Sequence, residues 1–67
     1  MNRHNLTLPF GYSTKTIEGD VIVYNRRRRV FTVSMAFTTY RVTDENCSRV
    51  FAGSYAECEQ FVNERLK

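Results

Sequence analysis

The chain has 67 residues, a formal net charge of +3, 42% hydrophobic residues and 25% charged residues. This composition argues against wholesale disorder, and no apolar stretch approaches the roughly 20 residues that a membrane span needs. A chain this short buries only about 60% of its surface, so it needs more than a small core, and a homodimer is one candidate source of further stability. We expect a single domain over residues 1–67, in which residues 1–12 form a loosely held edge strand or arm.

The first twenty residues show weak strand signals. Leu6, Leu8 and Phe10 alternate with polar positions, but Pro9 lacks an amide proton and limits such a strand to a sheet edge. The composition of residues 11–14 is typical of a turn, and residues 15–18 are predicted to begin another strand.

The middle of the chain is rich in β-branched and aromatic residues. Residues 20–24 predict a strand, and Asn25 with the first arginines predicts its turn into a long strand over residues 30–42. Alternation places Phe31, Val33, Met35 and Phe37 on one apolar face. Because Tyr40 and Val42 have the opposite parity, we expect a bulge or bend near residues 38–39.

The clearest element is the last one. Residues 44–46 predict a turn, residues 47–52 a short strand, and residues 55–66 a helix that begins with a Ser54/Glu57 capping box. The predicted fold class is α+β, an antiparallel β meander of three to four strands packed against one C-terminal α-helix. The expected core consists of seven residues: Phe31, Val33, Met35, Phe51, Phe61, Val62 and Leu66.

Four consecutive arginines, Arg26, Arg27, Arg28 and Arg29, follow Asn25. Residues 26–41 contain five arginines and no acid, whereas the rest of the chain is slightly acidic. The guanidinium fork suits phosphate oxygens, and we expect this tip to neutralise about two to four phosphates if it binds nucleic acid. The alternative is a solvated turn whose charges keep a small protein soluble or cover the acidic helix.

Catalytic chemistry has little support in the sequence. Cys47 and Cys58 have only His4 as a further soft ligand, whereas a zinc site needs about four. No second histidine is present to serve as a base for either thiol, and there is no phosphate-binding loop. We expect no enzyme activity, no metal and no cofactor. The two cysteines are expected to be reduced thiols or to form one disulfide, and the lack of an apolar leader favours a cytoplasmic location.

One resemblance follows from Arg26–Arg29, the long strand, and residues 49–57 (Arg-Val-Phe-Ala-Gly-Ser-Tyr-Ala-Glu). Over residues 23–65 the chain resembles DNA-binding domains of the plant ethylene-response-factor and integrase arm-binding type. This resemblance implies a three-stranded sheet backed by a helix, with the exposed sheet face in the DNA major groove. It gives the contact role to six arginines: Arg26, Arg27, Arg28, Arg29, Arg41 and Arg49.

The central strand departs from that pattern. Its polar positions, residues 32, 34, 36 and 38, are Thr, Ser, Ala and Thr, which cannot make the bidentate contacts that read base edges. The resemblance therefore implies binding mainly to backbone phosphate. A face of small neutral side chains also suits docking against a protein, with Tyr12, Tyr24 and Tyr40 as candidate interface anchors.

Two hypotheses result. The first is a small non-enzymatic regulatory protein, encoded by a phage or mobile element, that binds the acidic surface of a larger host protein, with self-association as a homodimer left open. The alternative is a nucleic-acid-binding domain that contacts phosphates through the Arg26–Arg29 hairpin.

Overall fold

The structure is a computed structural model that describes residues 6–66, and it has an α+β fold. One antiparallel sheet runs in the order β1-β2-β3-β4-β5, and one helix follows it. The predicted meander and C-terminal helix are thus confirmed, while the strand number rises from three or four to five. The elements are β1 (Tyr12–Ile17), β2 (Asp20–Asn25), β3 (Arg28–Ala36), β4 (Thr39–Asp44), β5 (Arg49–Gly53) and α1 (Tyr55–Arg65).

The extra strands come from two regions that the sequence pattern did not resolve. The turn predicted at residues 11–14 lies earlier, at residues 10–11, because Tyr12 already pairs with Asn25 in β1. The single long strand over residues 30–42 is a hairpin, in which Ala36 pairs with Thr39 around a two-residue turn. The change of parity that predicted a bulge is therefore the reversal of the chain at residues 37–38.

Three of the hairpin turns use backbone in the left-handed region. Glu18 and Gly19 have φ of 52° and 86°, Arg26 has φ of 63°, and Phe37 has φ of 58°. Two-residue hairpins favour such turns because their twist matches that of the strands. A phenylalanine at this position is unusual, because a side chain in the left-handed region crowds the following carbonyl.

The N-terminal segment is not a strand in its described part. Residues 6–8 have no regular structure, and the Thr7 N–H donates to Asn63 Oδ1 of the helix at 2.8 Å. Leu6 and Leu8 pack against the core from this position. The predicted edge strand over residues 6–10 is wrong, and the part of the predicted arm that contains His4 lies outside the described residues.

Helix α1 begins as predicted and ends one residue earlier. Ser54 Oγ accepts the Glu57 N–H at 3.2 Å, while Glu57 Oε1 accepts the Ser54 N–H at 2.9 Å. This reciprocal pair confirms the capping box. The helix packs against β4 and β5, and no helix within residues 6–66 has the length and apolar character needed to cross a membrane.

The core lies between the helix and one face of the sheet. Of the predicted core residues, Val33, Val62 and Leu66 are buried, and the three phenylalanines Phe31, Phe51 and Phe61 pack at its margin. Phe61 stacks on Phe51 at 4.9 Å between ring centroids. The prediction for Met35 is wrong, since 62% of it is exposed at the end of β3 beyond the helix. Four further buried apolar residues were not in the predicted core, Val21, Val23, Val42 and Cys58, and neither was the buried Glu59.

Both cysteines are free thiols, which answers the disulfide question. Cys47 is exposed in the loop between β4 and β5, so the strand predicted from residue 47 begins at Arg49 instead. That loop is organised by Asp44, whose Oδ1 accepts the N–H groups of Asn46 and Ser48 at 2.9 and 3.0 Å.

Candidate anion-binding surface

The face of the sheet opposite the helix, here called the open face, is defined by the strand register. Side chains directly opposite each other in an antiparallel pair lie on the same face. Val23, Val33 and Val42 are buried in the core on the helix side of the sheet, so the residues that alternate with them in β2, β3 and β4 point to the other side. The centre of the open face carries Ile22, Thr32 and Thr43, which stand opposite one another across three strands.

Two β-bulges decide which way two arginines point. In β3, Phe31 stands opposite Val23 and Arg29 opposite Tyr24, so Val30 is an extra residue. In β5, Phe51 stands opposite Val42 and Arg49 opposite Thr43, so Val50 is an extra residue. Strict alternation would put Arg29 and Phe31 on one face, and likewise Arg49 and Phe51. The bulges turn both arginines to the open face while both phenylalanines face the helix.

The open face is therefore strongly basic. Arg29, Arg41 and Arg49 lie on it from three neighbouring strands, and Lys15 lies on it from β1. All four are exposed. Asp20 is the one acid among the strand residues with this orientation in the described part of the chain.

Two of the hairpin arginines extend this surface at one edge. Arg26 and Arg27 form the turn, whereas Arg28 begins β3 opposite Asn25 and therefore lies on the helix side. All three are exposed, and between residues 6 and 66 no ion pair joins them to a helix carboxylate. The Arg29 guanidinium donates to Cys47 Sγ at 3.5 Å.

Three of the seven acidic residues lie on the other side of the molecule. Glu57, Glu59 and Glu64 belong to α1, which covers the opposite face of the sheet. Arg65 lies there too, with its guanidinium carbon 4.6 Å from the centre of the Phe61 ring. The described chain is thus divided into a basic sheet face and an acidic helix side.

The three predicted tyrosine anchors do not share a surface. Tyr12 and Tyr40 lie on the helix side of the sheet, and both pack at the margin of the core. Tyr40 makes an edge-to-face contact with Tyr55 at 5.1 Å between centroids. Only Tyr24 lies on the open face, between Ser13 of β1 and Arg29 of β3.

Burial raises the pKa of two groups on the helix. Burial and the neighbouring Glu59 carboxylate, to which the Tyr55 hydroxyl donates, raise the pKa of Tyr55 to about 12. Burial, reinforced by Glu57, also raises the pKa of the Cys58 thiol, which donates weakly to the Gly53 carbonyl. Both groups stay neutral and serve packing.

A shallow depression of about 400 Å³ lies on the open face near the arginine turn. Tyr24, Lys15, Arg26 and Arg27 line it together with two small residues of β1. A second groove, of about 530 Å³, runs between residues 7–9 and the helix, but Glu59 and Glu64 line it. An anion is therefore favoured at the first and disfavoured at the second. No cluster of three or more metal-ligating side chains occurs within residues 6–66.

Two aromatic side chains are fully exposed outside this surface. Phe37, in the β3–β4 turn, is 99% exposed, and Phe10, just before β1, is 100% exposed. The sequence pattern put Phe37 on the apolar face of a strand, which is wrong because it occupies a turn.

Comparison with known proteins identified no relative of this chain. No family model, no curated protein and no solved structure matches this chain. The resemblance to three-stranded DNA-binding domains therefore stays a prediction.

Proposed function

We propose that this protein is a non-enzymatic nucleic-acid-binding module that contacts backbone phosphates through the open face of its sheet. The observation that carries the proposal is the pair of bulges at Val30 and Val50. Each brings an arginine to the face that already holds Arg41 and Lys15. Packing against the helix does not require the arginines to lie on the open face. The phenylalanine two residues after each arginine already fills the helix side.

The chemistry of the surface supports phosphate more than base recognition. Arginine grips phosphate oxygens through two donors at once, and four to six cations on or beside one face of a small domain supply several such contacts. The middle of the face holds Thr32, Thr43 and Ser34, which offer hydroxyls but no long bidentate group. We therefore expect weak dependence on base sequence and strong dependence on salt.

A salt titration of fluorescence anisotropy tests the proposal. Random duplex and single-stranded oligonucleotides are titrated with wild-type protein from about 50 mM salt upward. The logarithm of the binding constant should fall linearly with the logarithm of salt concentration, with a slope near −0.9 per phosphate contact on duplex DNA and −0.7 on a single strand. Arg41→Ala and Arg49→Ala should each reduce the slope by about one contact.

Arg65→Gln is the matched control, because it removes the same charge from the helix side of the molecule. It should leave the slope nearly unchanged. Absence of binding at about 50 mM salt would contradict the proposal. So would equal effects of the Arg49 and Arg65 variants, because the orientation of Arg49 would then be irrelevant.

A second candidate function, binding to an acidic protein, is favoured by one separate observation. Phe37 is fully exposed in a left-handed turn, and Met35 beside it is mostly exposed. An exposed aromatic ring of this kind is a common anchor at protein interfaces. The hypothesis of a phage- or mobile-element-encoded modulator of a host protein belongs to this candidate.

Affinity capture from a host lysate distinguishes the candidates. A protein partner held through both surfaces should be recovered by wild type after nuclease treatment, and lost with both Phe37→Ser and Arg41→Ala. Recovery that disappears on nuclease treatment supports nucleic acid instead. Sedimentation of the purified protein tests the homodimer, which a monomer at high concentration would exclude.

A further inference from the structure

We propose that the depression beside the arginine turn binds one unpaired nucleotide of a single-stranded nucleic acid, with the Tyr24 ring stacking on its base. This inference rests on the proposed function and narrows it from phosphate binding in general to one class of nucleic acid. Tyr24 lines the depression together with three cationic side chains, Lys15, Arg26 and Arg27, and with the small residues Ser13 and Thr14.

The strand register leaves room beside the Tyr24 ring. Tyr24 stands opposite Ser13 on the β1 side, and serine is too short to cover an aromatic ring. On the β3 side it stands opposite Arg29, which is exposed and whose guanidinium donates to Cys47 Sγ. The depression of about 400 Å³ forms on the serine side, and its volume is of the size that takes one small ligand.

The cations flank the ring along the strand direction. Lys15 stands opposite Ile22, two residues before Tyr24 in β2, while Arg26 lies two residues after it. Ile22 and Tyr24 are about 6.6 Å apart along β2, and Arg26 follows in the turn beyond Tyr24, so positive charges lie on both sides of the ring. If a base rests on the Tyr24 ring, one neighbouring phosphate lies near Lys15 and the other lies near Arg26.

The aromatic ring selects the single strand. In a duplex the bases are stacked on one another, and their faces are closed to a protein side chain. An unpaired base offers a free face, and its stacking on an aromatic ring tolerates every base type. The small polar residues at the centre of the open face agree with this tolerance, because they impose no base pattern.

Binding to an oligonucleotide with one abasic position at its centre is the direct test. A short single strand, with just enough nucleotides to cross the sheet, is compared with the same strand that keeps its phosphates but lacks that base. Wild type should bind the abasic strand roughly tenfold more weakly. Tyr24→Ser should bind both strands equally and weakly, and Tyr24→Phe should behave as wild type.

Controls separate stacking from folding and from charge. Phe37→Ser removes an exposed ring from the opposite end of the sheet, and it should bind both strands as wild type does. If Tyr24→Ser unfolds, an NMR measurement on the wild type replaces the affinity of this variant as the readout. The ring current of an adenine stacked on Tyr24 should shift the Tyr24 ring protons upfield. The mononucleotide AMP should bind far more weakly than the strand.

Three results would overturn the inference. They are equal affinity of wild type for the two strands, tighter binding of duplex than of single strand at equal salt, or AMP binding as tight as strand binding. In the first two cases steep salt dependence would still uphold the proposed function, whereas absence of all binding would remove both. The third case would assign the depression to a free nucleotide.

Discussion

At the residue scale, Phe37 combines two unfavourable features that the fold does not explain. Its φ of 58° lies in the left-handed region, and its ring is 99% exposed. The left-handed conformation costs an ordinary L-residue roughly 1–2 kcal/mol, and asparagine tolerates it better. Because the Phe37 side chain contributes nothing to packing and strains the turn, it should be tested for a role in binding.

We predict that Phe37→Asn raises the free energy of unfolding by about 1 kcal/mol, because it relieves the turn without removing a buried contact. Urea denaturation measures this change. Phe10→Asn is the matched control, since Phe10 is equally exposed but has no left-handed backbone, and its effect should be near zero. A clear loss of stability in Phe37→Asn would mean that the ring is packed in solution.

A second prediction at this scale concerns Tyr55. Its pKa in the folded protein is about 12, above the ordinary value of 10.0, because the hydroxyl is buried and donates to Glu59. Between these two pH values the folded state keeps a proton that the unfolded state loses, so the contribution of Tyr55 to stability falls as pH rises. The difference in free energy of unfolding between wild type and Tyr55→Phe should therefore shrink from about pH 10 upward. A difference that is constant across this range would contradict the assignment.

At the element scale, the capping box predicts the stability of α1. Ser54 and Glu57 each satisfy a backbone N–H of the other. Ser54→Ala should lower the free energy of unfolding by about 1 kcal/mol, as loss of an N-cap usually does. Because the two side chains act as one unit, the double variant Ser54→Ala/Glu57→Ala should cost less than the sum of the single variants. Simple additivity, measured by chemical denaturation, would show that the two contacts are independent.

The same scale shows what could be predicted from the sequence and what could not. The helix was predictable because its cap, its apolar spacing and its terminal charges agree. The β3–β4 hairpin was missed because Phe37, in the turn, continues the alternation of the strand before it. Hairpin turns are usually recognised by Gly, Asn or Asp, and residues 37–38 contain none.

Because of the two bulges, the sequence predicted which arginines are present but not the face of the sheet on which Arg29 and Arg49 lie. The sequence identified the arginines, and Arg41 next to buried Val42 was open to simple alternation. Arg29 and Arg49 were not, because a bulge has no signature in a single sequence beyond two adjacent apolar residues. Val30-Phe31 and Val50-Phe51 are such pairs, and each follows an arginine. That repeated Arg-Val-Phe triplet is the signal that could have indicated both bulges.

At the scale of the whole molecule, the fold separates charge. The sheet is sealed by α1 on one side only, and the helix carries three glutamates while the open face carries Lys15 and three arginines. The net charge of +3 conceals this division. An anionic polymer is attracted to the open face and repelled by the helix side. This charge distribution therefore orients the protein on the polymer as well as strengthening binding.

NMR mapping of the protein surface that contacts a single strand is the most direct test of binding through the open face. A ¹⁵N-labelled sample is titrated with a short single-stranded oligonucleotide at low salt, and backbone amide and arginine side-chain shifts are followed. The largest changes should fall on Lys15, Tyr24, Arg29, Arg41 and Arg49, with residues 57–64 of the helix nearly unaffected. Changes that centre on the helix or on the groove beside residues 7–9, or the absence of any change, would contradict the claim that the open sheet face is the binding surface.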